Sequence, residues 1–477
     1  MNTLPDGLLV AYYGDDFTGS TDVMEVLTFA GLPTVLFLDV PAPGDLARFP
    51  GRRGIGVAGT ARSRSPEWMR AHLPPVLTAL DALGAPVLHY KICSTFDSSP
   101  TTGSIGCALE IGLAATRRAW CAMVVGAPAL RRYQAFGNLF AAVDGVGYRL
   151  DRHPTMARHP VTPMAEADLR LHLAAQTREA IGLVDLVALK QGRGAAALAA
   201  LAAARRAGLR AMLFDVIDDE TLEAAGGAIW RARGDGVFAV ASSGLTYGLV
   251  AHWRAAGLLP PAPPAPETGP AERLLVVSGS CSPITARQID WGVRNGFVPV
   301  RLDVRAVVDS ATARGEIARA VAAAAAALTA GRDAIVFSAE GPEDMSIGQL
   351  REAAARGGEP VGALQARVAD ALGEVLATVT SWSGVSRLVV AGGDTSGAAT
   401  SRLGLYALEA AMPLAPGGPL CLGHRRGLRP IEIALKGGQI GGADFFGQVK
   451  HGRGAGGTDG QGHDGGACAR ATGVMRC

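Results

Sequence analysis

Aromatic residues and an excess of charge of either sign are both scarce in this 477-residue chain. Only 5% of its residues are aromatic, and 45 Lys+Arg against 43 Asp+Glu leave a formal net charge of +2. A balance so near neutrality provides no electrostatic attraction for nucleic acid or for an anionic membrane surface. The sequence therefore predicts no nucleic-acid partner and no membrane partner.

Paired cysteines and long hydrophobic runs are also missing. The seven cysteines are scattered and odd in number, and no two have the CxxC spacing. This pattern argues against a disulfide framework or a structural zinc site and favours a reducing compartment. The N-terminus lacks the basic and apolar regions of a signal peptide. The longest apolar run, Ala320–Ala330, is too short to span a bilayer. We therefore expect a soluble, cytoplasmic protein.

Glycine, proline and small apolar residues are abundant instead. The 48% of hydrophobic residues can fill two cores, and a chain of this length predicts two domains. Six prolines fall between Leu258 and Glu272, where they favour an extended, semi-rigid chain. The prediction is an N-terminal domain at 1–257, a linker at 258–272 and a C-terminal domain at 273–448. A glycine-rich tail at 449–477, with little to bury, is expected to be disordered.

Short apolar runs alternate with helical periodicity throughout both halves. Strands that are apolar along their whole length and separated by helices are typical of parallel sheets. We therefore predict an α/β fold of two domains, each with a mostly parallel sheet flanked by helices, and an active site in the interdomain cleft. The predicted strands are Leu8–Tyr13, Thr34–Leu38, Pro86–Tyr90, Met123–Val125, Leu186–Leu189, Ala211–Phe214, Val237–Ala241, Leu274–Val277, Val298–Leu302, Ala334–Phe337, Leu388–Ala391 and Ile431–Leu435.

A polar loop, Tyr13–Asp22, follows the first strand and opens a helix. Open α/β sheets bind ligands at such strand ends, and the helix N-terminus favours an anion. The adjacent Asp15 and Asp16 could bind a metal ion, or one of them could act as the general base for attack by a substrate hydroxyl. The alternative is local: one aspartate caps the helix and Gly19 permits a tight turn.

The loop His89–Ser98 follows a second predicted strand. Lys91 could hold a carboxylate as a point charge, while Ser94, Thr95 and Asp97 could bond hydroxyl groups. Together these side chains suit a hydroxylated carboxylic acid. The alternative is a polar strand-to-helix loop with local caps.

Glycine pairs mark the strand ends of the second half. Ala391–Gly397 follows a strand and precedes a helix predicted to present Ala399, Leu403, Tyr406 and Ala410 on one face. Glycines let a backbone approach phosphate closely, and Thr395 or Ser396 can cap the helix or bond a phosphate oxygen. The loop is neither a Walker loop nor a GxGxxG fingerprint. Here the structural alternative is a glycine that only ends the strand.

Two further loops of the second half follow strands in the same way, at Ser278–Pro283 and Lys436–Gly442. Ser282 and Pro283 are typical of a helix start, and the residues before them could contact a nucleotide. Small, glycine-rich strand ends in one domain predict one shared crevice. Two cysteines lie in the predicted site loops, Cys93 in His89–Ser98 and Cys281 in Ser278–Pro283. Buried structural cysteines are, however, commoner than catalytic thiols.

These motifs together resemble the four-carbon acid sugar kinase family. That family has a DDFTG(A/S)xD motif and a KxxSTFDS motif in a substrate domain, followed by GSCS, GG(D/E)TS and LKxGxxG segments in a nucleotide domain. The matching segments here, in order, are Asp15–Asp22, Lys91–Ser98, Gly279–Ser282, Gly392–Ser396 and Leu435–Gly441, with His159–Met164 similar to the family's HPxTPM stretch.

The resemblance implies phosphoryl transfer from ATP, with Mg²⁺, to a hydroxyl of a small acid sugar, with metal ligands left open. Asp16 would act as base or orient the hydroxyl, and Lys91 would steer the acid. The acid-sugar contacts it implies are Asp15, Thr18, Ser94, Thr95 and Asp97. The ATP contacts it implies are Ser280, Ser282, Gly392, Gly393, Asp394, Thr395 and Gly438.

Departures from the family pattern bear on the substrate rather than on the reaction. They occur before Asp15, over Gly126–Phe140 and at Gln439 and Ile440. They favour the branch acting on 3-oxo acid sugars, a 3-oxo-tetronate or the related 3-oxo-isoapionate. Two other functions stay open: an NAD-dependent hydroxy-acid dehydrogenase, and a nucleotide or sugar-acid sensor without turnover. The oligomeric state, including a homo-oligomer, is also open.

Overall fold

The N-terminal half is built on eight parallel strands in the order β2-β3-β1-β4-β11-β5-β10-β9. The structure is a computed structural model that describes residues 3–143, 145–159 and 161–453. Strands β6, β7 and β8 form a separate antiparallel sheet of three strands. The bounds are β1 Val10–Gly14, β2 Thr34–Phe37, β3 Gly54–Ala58, β4 Val87–Lys91, β5 Cys121–Val124, β6 Arg132–Ala135, β7 Asn138–Val143, β8 Val146–Arg149, β9 Ile181–Val184, β10 Ala211–Phe214 and β11 Val237–Ala241.

The C-terminal half contains five parallel strands in the order β13-β14-β12-β15-β18, followed by the antiparallel strands β17 and β16. The bounds are β12 Leu274–Ser278, β13 Val298–Arg301, β14 Ala334–Phe337, β15 Arg387–Ala391, β16 Leu405–Ala415, β17 Gly418–Arg425 and β18 Ile431–Lys436. Strands β1, β11, β12 and β15 are buried along their whole length, as expected for strands covered by helices on both faces.

Helices alternate with the strands in both halves. In the N-terminal half they are α1 Phe17–Phe29, α2 Pro43–Leu46, α3 Pro66–Asp81, α4 Ile105–Ala115, α5 Leu169–Ala174, α6 Leu186–Lys190, α7 Ala195–Arg206, α8 Asp219–Ala232 and α9 Gly244–Ala255. In the C-terminal half they are α10 Pro283–Arg294, α11 Val304–Val308, α12 Ala313–Thr329, α13 Met345–Gly357, α14 Val361–Ser383, α15 Gly393–Arg402 and α16 Phe445–His451. No helix of the described ranges is long and apolar enough to cross a membrane.

The two halves join edge to edge into one fifteen-stranded sheet. β16 pairs antiparallel with β2, and Leu408 lies opposite Leu36 in this pairing. Because β16 runs parallel to β18 and antiparallel to β2, the parallel strands of the two halves run in opposite directions. An ion pair also crosses the joint, with Arg52 Nη2 2.5 Å from Glu409 Oε1.

The predicted α/β class is confirmed, while one predicted strand and one predicted helix are wrong. Leu186–Leu189 lies in α6, because Asp185 accepts a hydrogen bond from the Ala188 N–H and caps a helix there. The strand is instead the preceding β9. Tyr406 and Ala410 lie in β16, since α15 ends at Arg402 and Gly404, with φ 66°, breaks the helical path.

The proline-rich segment predicted as a linker contains neither helix nor strand between Ala255 and Leu274. Its C-terminal part is held by the protein: Arg387 Nη1 donates to the Gly269 carbonyl at 2.8 Å, and the Ala271 N–H donates to the Lys450 carbonyl at 2.8 Å. The predicted tail begins too early, because α16 continues to His451. Residues 454–477 of that tail lie outside the described residues.

Candidate functional site

Asp16 caps α1 at the carboxyl end of β1. Its Oδ1 accepts a hydrogen bond from the Gly19 N–H at 2.9 Å, and the Ser20 hydroxyl donates to its carbonyl at 2.6 Å. The helix-capping role that the sequence left open for one of the two aspartates is therefore performed by Asp16. Oδ2 of Asp16 makes no hydrogen bond to the described part of the protein, so one carboxylate oxygen is available to a ligand.

Arg62 links the two adjacent aspartates. Its Nη2 lies 2.6 Å from Oδ1 of Asp15 and 2.6 Å from Oδ1 of Asp16, and its Nε donates to Asp15 Oδ2 at 3.3 Å. Burial raises the pKa of Asp15 to about 6, against the opposing effect of the guanidinium. Sequence reasoning missed Arg62 because the strand before it, Gly54–Ala58, carries glycines that weaken its β signal.

Lys91 lies at the end of β4, beneath the first turn of α1. Its side chain is 4% exposed and its Nζ is 3.6 Å from Asp22 Oδ2. A Cβ on Gly19 would come within 2.9 Å of that Nζ, so a larger residue would collide with the amine. The structure thus pairs Lys91 with a buried carboxylate of its own chain.

The loop after Lys91 is strained and well supported. Phe96 is buried and has a φ of 60°, an uncommon backbone conformation for a residue with a side chain. The Ser98 hydroxyl donates to the Phe96 carbonyl at 3.0 Å and lies 3.0 Å from His172 Nε2. In the same loop the Thr95 hydroxyl donates a hydrogen bond to Asp97 Oδ1 at 2.7 Å.

The remaining side chains of this loop are less constrained. Ser94 is partly exposed, and Cys93 Sγ lies 2.9 Å from the Thr95 hydroxyl. Burial raises the pKa of the Cys93 thiol, which disfavours the reactive thiolate.

The glycine-rich strand ends of the C-terminal half meet in one place. A Cβ on Gly438 would lie 2.4 Å from the Ser280 hydroxyl and 2.9 Å from Ser282 Cβ, so the ends of β12 and β18 are in direct contact. A Cβ on Gly279 would lie 2.3 Å from Thr395 Oγ1, so the loop after β15 also contacts the end of β12. The structure therefore brings together the three loops that the sequence predicted to share a crevice.

Gly392 gives this crevice its shape at the end of β15. Its φ of 120° is accessible essentially to glycine alone. A Cβ there would also come within 3.5 Å of the Ser280 backbone nitrogen.

A cavity of about 910 Å³ lies between the two halves. The first polar loop lines it with Asp15, Asp16 and Thr18, and the opposite side includes Gly393 and Asp394 at the start of α15. The cavity thus brings one predicted acid-sugar loop next to one predicted ATP loop. Lys91, Ser94, Thr95 and Asp97 do not line it.

A smaller cavity of about 230 Å³ adjoins the large one at Asp394. It lies against α13 and α14 and is lined by Gly279, Cys281 and Thr395 from two of the glycine-rich loops. Asp394 is exposed between both cavities and makes no hydrogen bond or ion pair to the described residues. Its carboxylate is therefore free to meet a cation or a ligand.

Carboxylates outnumber cations in the large cavity. Arg62 and Arg426 line it, and each is already engaged: Arg62 by the two aspartates and Arg426 by Asp45, with nitrogen–oxygen distances of 2.6 and 2.9 Å. Arg426 comes from the C-terminal half and Asp45 from the N-terminal half, so their pair closes one side of the cavity across the joint. No group of three or more His, Cys, Asp or Glu side chains in the described ranges is arranged to hold a metal ion.

Two family models match consecutive parts of the chain. The model described as a sugar-binding N-terminal domain matches residues 10–249, and the model described as a nucleotide-binding C-terminal domain matches residues 275–446. Between them they leave out the proline-rich segment.

Curated relatives match over nearly the whole chain. A 3-oxo-isoapionate kinase of Paraburkholderia graminis is 53% identical over 454 residues, covering 95% of this chain and 96% of the relative. A 3-oxo-tetronate kinase of Cupriavidus necator is 33% identical over 450 residues, covering 93% and 97%.

Solved structures share the fold. A crystal structure from Salmonella typhimurium LT2 matches with a TM-score of 0.75 and 26% identity, covering 93% of this chain and 99% of the other. A Haemophilus influenzae protein matches with a TM-score of 0.69 and 23% identity, covering 92% and 98%.

Proposed function

The chain belongs to the acid sugar kinase family with a sugar-binding N-terminal domain and a nucleotide-binding C-terminal domain, and from that premise we propose that it phosphorylates a hydroxyl of a small acid sugar with ATP, in the cavity between its halves. The observation that carries this proposal is that a loop of each half lines the same cavity. Asp15 and Asp16 of the sugar-binding half and Asp394 of the nucleotide-binding half line one cavity of about 910 Å³.

We propose a 3-oxo acid sugar as the substrate, and 3-oxo-isoapionate before 3-oxo-tetronate. The support is the difference in identity: 53% to the relative named for the former and 33% to the relative named for the latter, each over more than nine-tenths of the chain. Both substrates carry a carboxylate, a ketone and hydroxyl groups, so the same reaction class is expected in either case.

ATP is proposed to lie with its phosphates against the glycine-rich loops at Ser280, Gly392 and Gly438. Backbone N–H groups at strand ends and at the start of α15 would donate to phosphate oxygens. The cavity of about 230 Å³ beside these loops is the proposed place for the nucleoside.

Mg²⁺ fits the donors that the site offers. This ion prefers oxygen ligands and is usually held by one or two carboxylates together with substrate phosphates, so a complete protein cage is not required. Asp394 lies exposed beside the glycine-rich loops and has no hydrogen bond or ion pair to the part of the chain that the structure describes, and it is the proposed protein ligand. When bound, Mg²⁺ neutralises charge on the transferred phosphoryl group.

Asp16 is proposed to accept the proton of the attacking hydroxyl. Its Oδ1 is occupied by Arg62 and by the Gly19 N–H, whereas Oδ2 is available. Arg62 holds Asp15 and Asp16 side by side, so the base is kept in one orientation. Phosphoryl transfer depends mainly on such positioning and on charge neutralisation.

The experiment is an ADP-release assay over a panel of acid sugars that includes 3-oxo-isoapionate and 3-oxo-tetronate. Release that depends on the acid supports the kinase, and no release with any panel member contradicts it. Asp16→Asn should lower kcat by at least about 100-fold, the usual contribution of a general base. Asp235→Asn, at an exposed position that lines neither of the two cavities described above, is the matched control and should keep normal turnover.

The two other functions considered from the sequence gain no support. The relatives above are named as kinases rather than dehydrogenases or sensors. The cytoplasmic location and a homo-oligomeric state remain predictions.

A further inference from the structure

Arg62 keeps one of its guanidinium nitrogens unused in the large cavity. Its Nε and Nη2 donate to the carboxylate of Asp15 at 3.3 and 2.6 Å, and Nη2 also lies 2.6 Å from Oδ1 of Asp16. Its Nη1 makes no hydrogen bond to the part of the chain that the structure describes. Nη1 is also not one of the buried polar atoms that lack a partner among the described residues, so this nitrogen has accessible surface. Because Arg62 lines the cavity of about 910 Å³, Nη1 offers a hydrogen-bond donor to a ligand there.

The second arginine of this cavity offers no comparable nitrogen. Arg426 donates through both Nη1 and Nη2 to Asp45, at 2.6 and 2.9 Å. Among the described residues that line the cavity, Arg62 and Arg426 are the ones with cationic side chains. Nη1 of Arg62 is therefore the terminal guanidinium nitrogen that the described cavity wall leaves without a partner.

A free acceptor lies beside this free donor. Oδ2 of Asp16 makes no hydrogen bond to the described residues, whereas Oδ1 is 2.6 Å from Arg62 Nη2. Nη1 is bonded to the same carbon as Nη2, and Oδ2 to the same carbon as Oδ1, so the two free atoms flank this contact. The cavity thus presents a donor and an acceptor side by side, each on a side chain whose other atoms are held.

The charge around Arg62 decides which kind of oxygen suits Nη1. The carboxylates of Asp15 and Asp16 face a single guanidinium, which leaves an excess of negative charge. A substrate carboxylate placed here would be repelled by these aspartates, whereas a neutral oxygen would not. Nη1 therefore suits a neutral acceptor such as a ketone, and its positive charge strengthens the hydrogen bond.

The proposed substrate carries the two complementary groups on neighbouring carbons. In a 3-oxo-tetronate the ketone carbon lies between the two carbons that bear hydroxyl groups, so either hydroxyl has the ketone beside it. A hydroxyl group can donate to Asp16 Oδ2 while the neighbouring ketone oxygen accepts from Arg62 Nη1. One ligand would then satisfy both free atoms.

We propose that Nη1 of Arg62 binds the ketone oxygen of the acid sugar, and that this hydrogen bond favours 3-oxo acids over acids without the ketone. The proposal rests on the kinase function proposed above and assigns a specificity-determining residue to it. Asp16 accepts the proton of the hydroxyl, and Arg62 holds the ketone so that a hydroxyl beside it faces Asp16 Oδ2.

The test compares the better 3-oxo acid of the panel with its 3-deoxy analogue, in which a methylene group replaces the ketone, in the wild type and in Arg62→Lys. For the wild type we expect kcat/KM to fall roughly 10- to 100-fold on loss of the ketone, the range for a hydrogen bond to a charged group. Lysine keeps the positive charge beside Asp15 and Asp16 but has a single nitrogen, which these carboxylates occupy. In Arg62→Lys we therefore expect the kcat/KM values of the two acids to lie within about threefold of each other.

The matched control is Arg64→Lys, since Arg64 is exposed on the same loop and lines neither of the two cavities. It should keep the wild-type preference for the 3-oxo acid. If Arg62→Lys has no measurable turnover, the Kd values of the two acids, measured by calorimetry on wild type and variant, provide the same comparison.

Three results would contradict the proposal. A merely structural role for Arg62 would weaken both acids equally, so a wild-type preference retained in Arg62→Lys would overturn the contact with the ketone. Equal kcat/KM values for the two acids in the wild type would also overturn it, and both results leave the kinase function intact. A wild-type protein that phosphorylates no acid of the panel would overturn the kinase function and this proposal with it.

Discussion

Asp15, Asp16 and Arg62 share two negative charges and one positive charge within a few ångströms. Because Arg62 Nη2 lies 2.6 Å from both carboxylates, protonation of either aspartate changes the pairing of the other. Asp15 is the more buried of the two, at 3% side-chain exposure against 28% for Asp16. The buried Asp15 therefore sets the orientation of the guanidinium, and the more exposed Asp16 is the one proposed to meet the ligand.

Asp15 should give the activity an acidic limb near pH 6. Burial raises its folded pKa to about 6 from 3.8, so the folded protein takes up this proton as pH falls through 6 and the hold on Arg62 weakens. We expect wild-type kcat/KM to fall about tenfold per pH unit below that point. Asp15→Asn should be less active but nearly flat between pH 5 and 7. The measurement is the pH dependence of kcat/KM for the wild type and for Asp15→Asn. An acidic limb that is unchanged in the variant would show that another group causes it.

Asp394 should control the dependence on Mg²⁺. We expect Asp394→Asn to need about 10-fold or more Mg²⁺ for half-maximal turnover, as usual when a metal's protein contacts are weakened, with little change in the KM of the acid. The measurement is a Mg²⁺ titration at saturating acid sugar. Removal of all divalent cation with EDTA should abolish turnover in both proteins, and equal Mg²⁺ dependence in the two would exclude Asp394 as a ligand.

At this scale the sequence predicted Asp15, Asp16, Thr18, Gly393 and Asp394 in loops that the structure places around one cavity. It could not predict the arginines, because an arginine is recognised as part of a site only by what it lies against. Arg62 stands in a segment with no motif of its own, and long-range packing brings it to the two aspartates.

Among the elements, α1 of the N-terminal half also contacts the C-terminal half. It starts at the loop Tyr13–Asp22, which is proposed to bind the acid sugar. Glu25 on its buried face accepts a hydrogen bond from the Gly417 N–H at 2.8 Å, at the turn between β16 and β17. Burial and the nearby Asp22 raise the pKa of Glu25 to about 8. A protonated glutamate thus sits at the contact between the halves at neutral pH.

Glu25→Gln should stabilise the protein at alkaline pH. In the wild type the folded state keeps a proton that the unfolded state loses above about 4.5, so stability falls as pH rises from there to about 8. The glutamine keeps an acceptor for Gly417 without titrating. We expect the variant to gain about 2 kcal/mol or more over wild type at pH 8 and almost nothing at pH 5. Urea unfolding at both values measures this.

The control for that experiment is Glu343→Gln, an exposed glutamate, which should show no difference between the two pH values. A variant at Glu25 that loses stability at pH 8 would show that the carboxylate is ionised in the folded protein.

Gly438→Ala should affect ATP rather than the acid. Its Cβ would lie 2.4 Å from the Ser280 hydroxyl, so the ends of β12 and β18 must separate. We expect the KM of ATP to rise about 10-fold, as for overpacking at a close contact, and the KM of the acid to change little. Gly315→Ala in α12, where a Cβ meets nothing within 4 Å, is the control. Equal effects on both substrates would point to a general loss of structure.

Elements with continuous apolar patterns were the ones predictable from sequence. The sequence pattern does not indicate β3, because two of its five residues are glycine. It predicts helix at Tyr406 and Ala410 of β16, because the alanines and leucines around them are good helix formers. In each case the strand exists because neighbouring strands accept its hydrogen bonds, which is a tertiary effect. The pairing of β16 with β2 had no local signal at all.

For the whole molecule, the shared sheet implies that the two halves unfold together. The proline-rich segment is only one of their connections, since Arg52–Glu409, Asp45–Arg426 and the strand pairing also cross the joint. We expect calorimetry to show one transition, which ATP with Mg²⁺ at 100 times its Kd stabilises by about 2.7 kcal/mol. Two transitions, of which ATP moves only one, would show that the halves are energetically independent.

The pairing of β2 with β16 also decides how the protein can be divided. A gene cut within the proline-rich segment would give an N-terminal fragment whose β2 has an unsatisfied row of backbone donors and acceptors along Thr34–Phe37. Open edges of this kind recruit strands from other chains, so the fragment would tend to aggregate or to capture β16 from another copy. Workers who wish to crystallise the sugar-binding half alone would do best to append β16 and β17 to it.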